Sequence, residues 1–168
     1  MQDAHASRRY VALEGERPVR RRLRPLAAIQ AGLTAGAIAF LLLQFFAVVV
    51  YDESPWRLLR AVAAMAGGPD TLEPSDEFDA GIVLVGLTLF FSLSALYSLA
   101  LAGILSDNPR RWAPALGAGF GALLYFANFE GFTAIFPWFV PYRTVDTFAA
   151  LVIFGIAAAR GYSLFRRR

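Results

Sequence analysis

At 168 residues, with 57% hydrophobic and only 17% charged residues, the chain is too apolar for a soluble domain of its size. Its formal charge of +3 comes from 16 basic residues, all arginine, against 13 acidic ones. With no cysteine and a single histidine, His5, the chain excludes disulfides, thiol catalysis, iron–sulfur ligation, paired haem histidines and histidine-cluster metal sites. Arginine keeps its proton in any environment, so a lysine-type Schiff base is excluded as well.

Four apolar runs, 26–50, 81–105, 114–136 and 145–165, dominate the chain. Each is long enough to cross a hydrocarbon core of roughly 30 Å at about 1.5 Å per residue. If every run crosses, both termini and the 106–113 loop share one face, which then holds 13 of the 16 arginines. The acidic 51–80 loop lies opposite. The positive-inside bias therefore accounts for the basic residues, puts both termini in the cytoplasm and leaves no reason to invoke nucleic acid. The expected fold is an all-α integral membrane protein, a bundle of four transmembrane helices plus a short interfacial amphipathic helix in the first outer loop.

Residues 1–25 read as a polar, basic cytoplasmic tail interrupted by Pro18 and Pro25. The 25-residue run that follows is too long for a cleavable secretory core, which predicts a retained first helix. Gly32 and Gly36 in that run form a GxxxG spacing, a small-residue face on which another helix backbone packs closely. In the outer loop Ser54 and Pro55 suit a helix start, and 55–66 carries Leu58, Leu59, Val62 and Met65 on one face with Arg57 and Arg60 opposite. That pattern predicts a helix lying in the interface, with Gly67-Gly68-Pro69 ending it before the acidic 70–79 stretch.

The second run repeats the small-residue pattern with Ser94 and Ser98, and the third begins with Gly117 and Gly121. The Gly-x-x-x-Gly-Ala strings at 32–37 and 117–122 suggest a duplicated helical hairpin. Trp56, Trp138 and Tyr142 are the expected interface anchors.

Polar residues are few, and they gather towards the outer side. Counting from the inner face, Asn128 and Glu130 fall about 21 and 24 Å along the third helix. Gln44 reaches similar depth, and Arg143 and Asp146 open the fourth helix on one face. An ionisable group in a membrane helix is costly unless paired or hydrated. Two readings follow: a binding cluster of Gln44, Asn128, Glu130, Arg143 and Asp146 for a proton, a cation or a partner's polar group, or a Glu130–Arg143 salt bridge clamping the turn between helices three and four. No nucleophile motif, phosphate loop or metal-ligand spacing accompanies them, so neither catalytic residue, metal nor cofactor is expected.

The strings Ser54-Pro55-Trp56, Ala63-Ala64-Met65 and Leu93-Ser94, with Tyr97, are followed by Asn128-Phe129-x-Gly131-Phe132-Thr133-x-x-Phe136-Pro137-Trp138-Phe139, then Arg143 and Phe154-Gly155. From about 28 to 162 the chain thereby resembles a group of short, four-helix bacterial inner-membrane proteins commonly labelled sodium:proline symporters. True symporters of that class have about a dozen helices, and four cannot hold their inverted repeats. The resemblance implies a bacterial inner-membrane location, and it carries no settled activity. Histidines are common in that group at two places that Phe90 and Leu151 occupy here. The expected role is a non-catalytic accessory or scaffold subunit, its partners the lipid bilayer and other membrane subunits or further copies of itself. The alternative is a small oligomeric transporter or channel with a polar path around Glu130.

Overall fold

A computed structural model of the chain describes residues 23–106 and 108–166. Among them the structure is entirely helical: α1 (Pro25–Phe45, continued by a π turn Phe46–Val50), α2 (Arg57–Gly67), α3 (Ala80–Ser106), α4 (Ala113–Tyr125) and α5 (Val145–Phe165). The expected 1–25 tail lies, but for its last residues, outside the described part. Three helical segments are long and apolar enough to cross a membrane: Pro25–Val50, Ala80–Ser106 and Val145–Phe165.

The third run behaves differently. In place of one helix over 114–136, α4 stops at Tyr125 and passes into a π turn Phe126–Gly131, a 3-10 turn Phe132–Ala134 and a second 3-10 stretch Pro137–Tyr142. Asn128 is part of the cause. Its Nδ2 donates to the Leu124 carbonyl at 2.8 Å, the acceptor that its own backbone N–H would take in an α-helix. Pro137 and Pro141 bar any regular continuation beyond.

The long helices pack in the order α3, α1, α5, α4, with α3 and α4 scarcely touching. Close approach explains the order. The small face of α1 (Ala28, Ala31, Ala35 and Ala39, with Gly32 and Gly36) is buried, and a methyl on Gly32 would sit 2.6 Å from the Ser94 carbonyl oxygen and 2.7 Å from Ser98 Cβ. Gly117 and Gly121 press in the same way onto the backbone of α5 at Gly155 and Leu151. Each glycine pair thus packs a helix against the other member of its own hairpin. Both first members, α1 and α4, also end in a π turn.

The interfacial helix departs furthest from expectation. Leu58 to Ala64 of α2 are buried without a break, Arg60 among them. Gly86 of α3 lies directly beneath the Leu59 carbonyl, leaving no room for a side chain. The 68–79 loop folds back over the other side, which is why Arg60 does not face out as its helical position suggests. Gly68, at φ 84°, makes that reversal possible, its N–H closing α2 on the Ala64 carbonyl at 2.9 Å. So α2 is a plug across the loop end of the bundle, enclosed by its own chain.

Candidate functional site: an aromatic chamber under the plug

Three latches hold the plug. Arg60, 3% exposed, donates to the carbonyls of Thr71 (3.1 Å, Nη1) and Glu77 (2.9 Å, Nη2). Trp138 donates its indole N–H to the Ala61 carbonyl at 3.0 Å, and Gln44 Nε2 donates to the Pro55 carbonyl at 2.9 Å. A buried guanidinium needs several acceptors to offset its lost hydration, and here backbone carbonyls supply them. Trp56 packs on Phe78, ring centroids 4.9 Å apart, tying the start of α2 to the loop end. All three expected anchors, Trp56, Trp138 and Tyr142, are only partly exposed.

Beneath the plug lies a chamber of about 120 Å³. Its walls are Phe90 of α3, Phe129 of the π turn, Phe136 and Phe139 of the following turns and Phe154 of α5, while Leu58, Val62 and Met65 close it from α2. Leu151 of α5 lines this space as well. Four polar residues, Ser94, Tyr97, Asn128 and Thr147, interrupt the apolar lining, and two of them pair: the Tyr97 hydroxyl donates to Asn128 Oδ1 at 2.7 Å.

A second cavity of about 180 Å³ adjoins it through Leu43, Leu58 and Thr147 and is more polar, with Tyr51, Glu53, Arg57, Tyr142 and Asp146 around it. Glu53 and Arg57 form an ion pair there, and the Tyr51 hydroxyl donates to Asp146 Oδ1 at 2.8 Å. That bond raises the Tyr51 pKa, because the carboxylate accepts from the protonated phenol; slight desolvation adds to the effect. Burial pushes Tyr142 up to about 12, and its hydroxyl has no hydrogen-bond partner.

The five residues expected to form one outer cluster go to separate partners. Gln44 latches Pro55, Asn128 pairs with Tyr97, and Asp146 pairs with Tyr51. Only Glu130 and Arg143 meet, at 3.2 Å. Arg143 also donates through Nε to the Phe129 carbonyl at 2.6 Å and through Nη2 to the Thr133 hydroxyl. It therefore caps a helix end whose last carbonyls have no partner within the helix. Both members of the pair keep substantial exposure at the rim, outside the aromatic chamber.

Sequence reasoning missed the Arg60 latch, the Tyr97–Asn128 pair and the contact faces of Gly86 and Gly155. For Gly86 and Gly155 a signal existed, since each is a small residue inside a long apolar run. For Arg60 there was none, because the loop that covers it carries no periodicity.

No protein-family model, curated protein or solved structure matches the chain.

Proposed function

We propose that the chain is a membrane protein of four crossings, with α4 and its π turn as the third, both termini cytoplasmic and the plug on the outer face of a bacterial inner membrane. Its role is that of a non-catalytic accessory or scaffold subunit. The observation that carries this reading is the triple latch on α2. A helix fixed by Arg60, Trp138 and Gln44 closes the outer end of the bundle, and an ion path around Glu130 would have to pass it. Glu130 itself sits at the rim with Arg143, which suits a clamp better than a gate.

Interdigitated glycine contacts favour a rigid unit in the same way. The outward faces of α1 and α3 carry Leu33, Leu41, Leu84 and Leu96, surface suited to lipid or to a neighbouring subunit.

Extraction in mild detergent at native expression, with the mass of everything that travels with the chain, tests the proposal. A larger membrane partner in fixed ratio is the expected result. A pure homo-oligomer whose reconstituted ion flux is abolished by Glu130→Gln would overturn it in favour of the transporter reading.

A further inference from the structure

The aromatic chamber has the attributes of a ligand site, independently of whether the chain is a subunit. Its volume, about 120 Å³, is close to that of the roughly 150 Å³ apolar cavities that admit benzene. Ring edges and faces on several sides favour a ring as occupant. Neither arginine nor carboxylate lines it, so a charged ligand would lose its hydration without a counter-charge.

The Tyr97–Asn128 pair keeps unused capacity. Tyr97 donates to Asn128 Oδ1, which leaves lone pairs on the phenolic oxygen. Asn128 Nδ2 donates one hydrogen to Leu124, which leaves the second. A hydroxyl or a carbonyl therefore each finds a complement at this spot. Asn128 is carried by a π turn, a departure from α geometry that is common where helices build functional sites.

We propose that this chamber binds a small neutral molecule built on one hydrophobic ring bearing a hydroxyl or carbonyl group, the class of simple phenols and quinone headgroups. The ring fills the space between Phe90, Phe129 and Phe154, and the oxygen engages Asn128 and Tyr97. Val62 and Leu58 of the plug line it from above.

Equilibrium dialysis of the detergent-purified protein against para-cresol and against toluene, with empty micelles as the blank, tests the site. The expected result is saturable binding of one para-cresol per chain, with toluene about five-fold weaker for want of the polar contact. Asn128→Leu should bring the two probes to within about two-fold, and Val62→Phe, by filling the chamber, should weaken both at least ten-fold. Binding no greater than that of empty micelles, equal affinity for both probes in the unaltered protein, or undiminished binding by folded Val62→Phe would each overturn the proposal. The comparison of probes on the unaltered protein decides the matter even if neither variant folds.

Discussion

Arg60 reaches the Glu77 carbonyl oxygen with two of its nitrogens, Nη2 at 2.9 Å and Nε at 3.3 Å, across 17 residues of sequence. With its third bond to the Thr71 carbonyl it converts an acidic, turn-rich loop into the outer wall of a helix. The latch works because the guanidinium is a planar fork, able to meet two carbonyls at fixed angles.

Arg60→Met should therefore cost about 2–4 kcal/mol, since it leaves two carbonyls of the covered loop without donors. Arg60→Lys should recover only part, an ammonium being unable to reproduce the fork. Thermal unfolding in detergent measures the cost, and protease nicking within 68–79 reports release of the loop. Equal stability of the Met variant and the parent would show the latch to be dispensable.

The Glu130–Arg143 pair predicts an asymmetry. Glu130 contributes one partly exposed ion pair, so Glu130→Gln should lower stability by less than about 1 kcal/mol. Arg143 also holds Phe129 and Thr133, so Arg143→Ala should cost about 1–2 kcal/mol. A transport path would reverse the emphasis, with Glu130→Gln removing flux at unchanged stability.

Glycines divide by what faces them. Gly155 meets the backbone of Gly117, whereas nothing lies within 4 Å of the place a Cβ would occupy at Gly119. Gly155→Ala should destabilise by about 1–3 kcal/mol through separation of α4 and α5. Gly119→Ala, in the interior of the same α4, should stabilise by about 0.5–1 kcal/mol through reduced backbone freedom in the unfolded chain. Paired melting curves of the two variants give opposite signs if the close contact is real.

The long elements were legible because hydropathy and length speak for themselves: α1, α3 and α5 fall within a residue or so of the apolar runs 26–50, 81–105 and 145–165, once the π turn is counted with α1. Small-residue spacing likewise marked Gly32, Gly36, Ser94 and Ser98 as residues of close helix contact. The third run was harder to read. Asn128, Gly131 and Pro137 each weaken an α-helix, yet which turn replaces it depends on side-chain bonds such as Asn128 to Leu124. The site was harder still. Tyr97 and Asn128 stand 31 residues apart, and only the open seam between α3 and α4 brings them together.

Tyr142 supplies a pH test. Its pKa stands near 12 in the folded chain because burial penalises the phenolate, with the nearby Arg57 lowering and Glu53 raising it to lesser degrees, against about 10 for an exposed tyrosine. The unfolded state thus releases its proton first. Stability is intact below pH 10 and falls by about 2–3 kcal/mol as pH rises towards 12. Tyr142→Phe should abolish that part of the alkaline loss, and at neutral pH it should cost nothing, since the hydroxyl has no partner. Melting temperatures of the parent and the variant at pH 8 and pH 11.5 test both statements; parallel losses would contradict the assignment.

Four crossings with the plug outside can be measured directly, because the chain has no cysteine of its own. Single cysteines at Glu73, Asn108 and Val140 are to be labelled in intact cells with a membrane-impermeant maleimide, before and after permeabilisation. The cysteines at 73 and 140 should react at once, and the one at 108 only after permeabilisation. Positions 108 and 140 reacting from the same side would mean that the broken third helix does not cross, which would contradict a four-crossing topology.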